Sequence, residues 1–151
     1  MFIQNSSTQI LQKSLIIEST FNIESYDKNL FSMFAIDLPA NINNSVKKRQ
    51  AEFLAGRLAA QQALISMGYS SNNAIATGKN REPLWPDNLI GSITHTNNTA
   101  CCIIAKREDY RGIGIDLEPI LPVETATEIE RTIINQQEKI LGESLPLSYL
   151  D

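Results

Sequence analysis

The spacing of apolar residues predicts one long helix near the middle of the chain. Across Val46–Met67, apolar side chains recur close to helical spacing, and charged or amide side chains occupy the positions between them. Ser45 is a suitable N-cap for this helix, and Gly68 is suited to ending it in a left-handed conformation. A second amphipathic helix is predicted over Thr125–Leu141, with Gly142 as its stop.

Short runs of β-branched, aromatic and small apolar residues predict strands on both sides of the long helix. Asn97-Asn98-Thr99 is a natural hairpin turn between two of them. Pro83 and Pro86 exclude a helix interior or a central strand around them. Residues 1–13 are polar and are expected to be loose. The predicted strands are Ser14–Ile17, Leu30–Ile36, Gly91–Thr96, Ala100–Lys106 and Gly112–Leu117.

The composition is that of an ordinary globular protein. A chain of 151 residues, 42% hydrophobic and 20% charged, is long enough for one domain with a modest core, predicted here over residues 1–151. The elements predict the α/β (α+β) class, with helices packed on a largely antiparallel sheet. A formal net charge of -4 argues against a general nucleic-acid binder.

No stretch of the chain predicts a membrane span or a signal peptide. Cys101 and Cys102 are neighbours, so in a strand they would point to opposite faces and would not form an ordinary structural disulfide. We interpret them as two small apolar residues of a buried strand. These features predict a cytoplasmic protein without a membrane partner.

Asp116 and Glu118 form the sharpest local chemical signal. Residues two apart in a strand lie on one face, so the two carboxylates would be presented together. Like charges at short range repel unless a cation lies between them, and hard oxygen ligands are those that Mg²⁺ prefers. The alternative is an ordinary solvated strand end.

Several cationic residues could form an anion site. His95 is the single histidine and lies among small and hydroxyl residues, which suit a phosphate. Arg49 and Arg57 are eight helical residues apart, about 12 Å along the axis and about 80° around it, so they could hold one ligand group from two sides. Lys79 and Arg81 add anion contacts from a loop. A solvated or structural role remains the alternative for each.

Four segments resemble, in order and spacing, the signature blocks of the 4'-phosphopantetheinyl transferases of the enterobactin synthetase component D type. They are Lys48–Ala60, Arg81–Pro86, Gly91–His95 and Ile113–Glu118. The resemblance implies two similar α/β halves related by a pseudo-twofold axis, with coenzyme A in the cleft between them. It also implies Mg²⁺-dependent transfer of the phosphopantetheine arm to a serine of an apo carrier protein, with release of 3',5'-ADP.

Site roles follow from the same resemblance. Asp116 and Glu118 would be Mg²⁺ ligands at the coenzyme A pyrophosphate. His95 and Thr94 would contact the phosphates, so that His95 joins the two carboxylates as a catalytic residue.

The resemblance also implies a nucleotide site. Arg49 and Arg57 would hold the 3'-phosphate of the nucleotide. Arg81 and Pro83 would border the adenosine, with Lys79 as a further contact. The pathway implied is siderophore, other non-ribosomal peptide or fatty-acid synthesis.

One family motif has no counterpart here, namely an aromatic residue followed shortly by Lys-Glu and a further Lys. Leu145–Asp151 ends about where that motif should begin. We therefore expect the N-terminal portion of the family domain, with its second half incomplete. The alternatives are a non-catalytic coenzyme A-binding fragment or degenerate relative, and an interaction domain in which these charges are only surface.

Overall fold

The computed structural model describes residues 1–70 and 75–143. They belong to two compact units, the first being Met1–Glu118 and the second beginning at Pro119. The single domain predicted over residues 1–151 stays a prediction. Within the described ranges, no helix combines the length and the hydropathy needed to cross a membrane.

The first unit is a mixed α+β structure. Besides a 3₁₀ turn at Ile23–Ser25, its elements in chain order are β1 (Ile3–Leu11), β2 (Ser14–Phe21), α1 (Asn29–Met33), α2 (Ala40–Asn43), α3 (Lys47–Ser66), β3 (Ala76–Thr77), β4 (Pro83–Leu84), β5 (Leu89–Thr96) and β6 (Thr99–Lys106). The four long strands form one antiparallel sheet in the order β1-β2-β6-β5, and β3 pairs with β4. The predicted class, with helices on an antiparallel sheet, is confirmed.

Helix α3 packs across β2, β6 and β5. Its buried face is rich in alanine, with Ala51, Ala55, Ala59, Ala60 and Ala63 almost inaccessible to solvent, so the helix backbone lies close to the sheet. Two apolar clusters fill the interface, one around Ile17 and Leu64 and the other around Phe21 and Leu54. This packing fixes the position of every polar side chain that leaves α3 toward β5.

The central predictions are confirmed. Helix α3 agrees with the predicted Val46–Met67, and Gly68 follows it with φ +87°. Strands β5 and β6, with a turn between them, agree with the predicted hairpin. Ser45 is not the cap of α3, because its hydroxyl donates to the Ile42 carbonyl (2.6 Å) and Val46 holds the N-cap position without a side-chain bond.

Residues 1–13 were expected to be loose, which is wrong for most of them. Strand β1 pairs with β2 from Ile3 to Leu11. Its side chains are almost all exposed, so the sequence lacks the apolar alternation that usually identifies a strand. Backbone pairing at a sheet edge, rather than side-chain burial, holds this segment.

Two further predicted strands are wrong. Leu30–Ile36 overlaps helix α1 and does not form a strand. The Asp27 carboxylate accepts from the Asn29 N–H (2.8 Å) at the start of this helix. Gly112–Leu117 is not a strand, because none of the described strands pairs with it. The side chains of this segment nevertheless alternate in exposure.

The second unit contains α4 (Val123–Ile133) and α5 (Gln136–Glu143) in place of the single predicted helix. Asn135 separates them and caps α5, because its side chain accepts from the N–H groups of Gln137 (2.9 Å) and Glu138 (3.0 Å). The Glu138 carboxylate accepts in return from the Asn135 N–H (2.9 Å), which completes a capping box. Gly142 lies inside α5 and does not stop it.

Candidate functional site

A cavity of about 360 Å³ lies in the first unit, bordered by α3, β5 and the β3–β4 pair. Its lining includes three arginines and the single histidine, namely Arg49, Arg57, Arg81 and His95. Glu52 is the acidic residue among the described lining residues. The cavity therefore has a cationic wall on three different elements.

Arg57 is the most deeply buried cation of this wall, with 5% of its surface exposed. One guanidinium nitrogen donates to Thr77 Oγ1 on β3 (2.9 Å), and the group lies over the Phe53 ring, 5.0 Å from its centroid. The other terminal nitrogen, Nη1, is buried and has no hydrogen-bond partner. Burial lowers the pKa of Arg57. A buried, unsatisfied guanidinium N–H beside a cavity is a group that a bound anion would satisfy.

Arg49 and His95 meet at the same cavity. Arg49 Nη1 lies 2.6 Å from His95 Nε2, across the contact between α3 and β5. The Glu52 carboxylate lies 3.7 Å from His95 Nδ1 and 3.9 Å from Arg49 Nη1. Burial lowers the pKa of His95; Glu52 opposes that shift, while Arg49 and Lys48 add to it. The histidine is therefore neutral near pH 7.

Arg81 reaches the cavity from the turn between β3 and β4. It has φ +70°, a left-handed conformation that costs free energy in a residue with a Cβ. Gly78 closes the turn, because its N–H donates to the Glu82 carbonyl (2.8 Å). A Cβ at this position would lie 2.3 Å from the Glu82 carboxylate. Pro83 begins β4 and also lines the cavity, whereas Lys79 is exposed and is not among its lining residues.

The two predicted metal ligands lie apart from this lining. Asp116 and Glu118 are exposed, while the intervening Leu117 is less so, which matches the predicted alternation. Thr94 donates from Oγ1 to Asp116 Oδ1 (3.1 Å). Thr94 alternates with His95 along β5, so their side chains leave opposite faces of the strand, and neither Thr94 nor the two carboxylates line the cavity.

This donor set suits Mg²⁺. The described residues contain no group of three histidine, cysteine or acidic side chains that could enclose a metal ion. Mg²⁺ does not require such a group, because it commonly binds through one or two carboxylates and completes its octahedron with water and phosphate oxygens. Asp116 and Glu118 offer two hard, solvent-accessible carboxylates of that kind.

The sequence reasoning missed Glu52 and Thr77. Glu52 follows Lys48 by four residues and Arg49 by three, which are the spacings that bring helical side chains together. That signal was present in the sequence. Thr77 could not have been assigned, because its contact with Arg57 depends on the tertiary position of a two-residue strand.

Comparison with known proteins adds an independent observation. Residues 38–105 match the family described as the 4'-phosphopantetheinyl transferase N-terminal domain. Enterobactin synthase component D of Salmonella typhimurium is 43% identical over 105 residues, 69% of this chain and 42% of that protein. The Escherichia coli (strain K12) protein of the same name is 40% identical over 99 residues, 66% and 45% of the two chains.

A more distant relative is the 4'-phosphopantetheinyl transferase PptT of Mycobacterium tuberculosis, 39% identical over 83 residues, 54% of this chain and 36% of that protein. The matched segment thus spans less than half the length of each of these three relatives. The family match includes the whole of α3, β5 and the turn that carries Arg81, and so every cationic residue of the cavity wall. Residues 38–105 of this chain therefore belong to the family of 4'-phosphopantetheinyl transferase N-terminal domains.

Proposed function

We propose that this chain transfers the 4'-phosphopantetheine arm of coenzyme A to a serine of an apo carrier protein, releasing 3',5'-ADP in a Mg²⁺-dependent reaction. The observation that carries the proposal is the buried Arg57 guanidinium, with an unsatisfied nitrogen beside a cavity that two other arginines and a histidine also line. The names of the relatives support the transferase class. The name enterobactin synthase supports a carrier protein of siderophore synthesis.

The cavity has the charge and the size for the nucleotide end of coenzyme A. In the proposed complex, Arg57 and Arg49 hold the 3'-phosphate, because guanidinium groups match phosphate oxygens in bidentate geometry. A volume of about 360 Å³ lies within the range of small-ligand sites. Arg81 and Pro83 border the adenosine from the β3–β4 pair, with Lys79 as an outer contact.

The reacting end of the substrate is assigned to the residues near the end of β5. Asp116 and Glu118 would hold Mg²⁺, which when bound neutralises charge on the pyrophosphate. Thr94 contacts the phosphates on the side of Asp116, to which its hydroxyl donates, and His95 contacts them from the cavity side of β5. The carrier serine oxygen attacks the β-phosphorus and its hydroxyl proton passes to solvent, while the bond from that phosphorus to the bridging oxygen breaks and 3',5'-ADP leaves with that oxygen. Positioning and charge neutralisation supply most of the catalysis in such transfers.

Calorimetric titration with coenzyme A tests the nucleotide site. We expect the chain to bind it, and Arg57→Met to weaken binding about thirtyfold or more, which is roughly 2 kcal/mol for a buried charge left without its partner. Lys106→Met is the matched control, because it removes one exposed positive charge outside the cavity. Equal loss in both variants would contradict a specific role for Arg57.

Intact mass spectrometry of an apo carrier protein tests the transfer itself. After incubation with the chain, coenzyme A and Mg²⁺, we expect the carrier to gain one phosphopantetheine arm, and Asp116→Ala to abolish the gain. Coenzyme A binding without any gain would instead identify a non-catalytic binding module. If the chain showed no coenzyme A binding and no transfer, the proposed function would be rejected.

A further inference from the structure

Glu52 is an unexpected residue in a cavity proposed to bind phosphate. It lines the cavity, it is 8% exposed, and it lies on the same turns of α3 as the arginines. A carboxylate near a phosphate repels it, and the repulsion is stronger where water is excluded. If the cavity needed only positive charge, a neutral side chain at position 52 would serve better.

The contacts of Glu52 indicate what it does. Its Oε1 lies 3.9 Å from Lys48 Nζ, and its Oε2 lies 3.9 Å from Arg49 Nη1 and 3.7 Å from His95 Nδ1. The carboxylate is thus surrounded by three nitrogen-bearing groups from two elements, α3 and β5. It offsets the mutual repulsion of cations that would otherwise separate from each other and from the cavity.

The Arg49 contact also defines which nitrogen of His95 carries the proton. A guanidinium can only donate, so His95 Nε2, 2.6 Å from Arg49 Nη1, must be the acceptor. The proton of the neutral imidazole therefore lies on Nδ1, the nitrogen on the side of Glu52 Oε2. A carboxylate on that side favours this tautomer and orients the ring.

We propose that Glu52 is the positioning residue of the cavity. It holds His95 in the Nδ1–H form, whose Nε2 accepts from Arg49, and so keeps the Arg49 guanidinium where its remaining N–H groups meet the phosphate group of a bound nucleotide. The part that concerns the nucleotide rests on the proposed function. The part that concerns the tautomer rests only on the contacts among these three side chains. Glu52 acts through its neighbours and does not itself contact the ligand.

The sign of a change in affinity separates positioning from simple charge. Glu52→Gln keeps the shape and removes the negative charge, and calorimetry with 3',5'-ADP is expected to show binding about tenfold weaker. Glu52→Asp keeps the charge but shortens the side chain, and it should also weaken binding. Glu108→Gln is the control, since it removes an exposed negative charge outside the cavity. Tighter binding in Glu52→Gln, or unchanged binding in Glu52→Asp, would overturn the proposal.

The single histidine allows a test without any nucleotide. In ¹⁵N-labelled chain, at a pH where the imidazole is neutral, long-range ¹H–¹⁵N spectra should contain one set of ring signals with the proton on Nδ1. In Glu52→Gln we expect signals averaged between the two tautomers. A wild-type proton on Nε2, or an unchanged spectrum in the variant, would refute the role of Glu52. If the chain bound no nucleotide, the proposed function would fail while these spectra still decided the tautomer.

Discussion

Helix α3 and strand β5 are in direct contact where Gly56 faces Ile93. A Cβ built on Gly56 would lie 2.8 Å from Ile93 Cγ2, closer than two carbon atoms can approach. Both residues line the cavity, and they are close in sequence to Arg57 and His95. Gly56→Ala therefore tests whether this close approach sets the geometry of the site.

Two opposing free energies determine the outcome of Gly56→Ala. Alanine in a helix interior is favoured over glycine by about 1 kcal/mol. Forcing one extra methyl group into a packed interface costs about 1–3 kcal/mol, and the obstructing Cγ2 belongs to a stiff β-branched side chain that cannot turn away easily. The expected net result is a loss of unfolding free energy of up to about 2 kcal/mol.

Urea denaturation followed by tryptophan fluorescence measures this change. Trp85 is the single tryptophan and packs against the cluster formed by α3 and the sheet, so its emission reports unfolding of the first unit. Ile93→Ala removes the obstructing methyl, and the double variant should show favourable coupling of about 1 kcal/mol. A Gly56→Ala protein more stable by about 1 kcal/mol, the value of helix propensity alone, would refute the reasoning.

Three further predictions concern strain, protonation and thiol reactivity. Arg81→Gly should be more stable to urea than Arg81→Ala by about 1 kcal/mol, because both lose the cation but only glycine relieves the left-handed backbone; equal stabilities would argue against strain. Burial lowers the pKa of His95, so as the pH falls below about 6.5 the unfolded chain binds a proton before the folded chain does. The free energy of unfolding therefore decreases as the pH falls through this range. Urea midpoints at about pH 7.5 and 5.5 should therefore differ less in His95→Gln than in wild type. Burial raises the pKa of Cys101 and of Cys102, so both thiols should resist a thiol reagent at about pH 8 until urea unfolds the chain, whereas rapid native labelling would contradict their burial.

The part of the fold that could be predicted is the part with a clear period. Helix α3 is a 20-residue segment whose buried residues recur close to helical spacing, and the β5–β6 hairpin has one buried strand, β6, beside a polar turn. Helical geometry relates Arg49 to Arg57, so the sequence indicated that both could reach one ligand group, and in the structure both line the cavity. His95 joins them because the hairpin register fixes the end of β5 opposite Ala100.

The part that could not be predicted depends on pairing between distant segments. Strand β1 has no apolar face, and only the edge of β2 makes it a strand. Gly112–Leu117 has the alternation of a strand but no partner among the described strands.

The break between α4 and α5, in contrast, was foreseeable from the sequence, because Asn135 and Glu138 have the spacing of a capping box.

Two features of the first unit that cost free energy in the absence of a ligand line the same cavity. Arg57 has a buried nitrogen without a partner, and Arg81 has a left-handed backbone. Each is the kind of local conflict that a sequence selected only for stability would remove, and proteins retain such conflicts mainly at functional sites. A bound phosphate would satisfy Arg57 and would compensate the cations that Glu52 now holds together. The clustering of these costs at one cavity is therefore an argument for its function that is independent of sequence similarity.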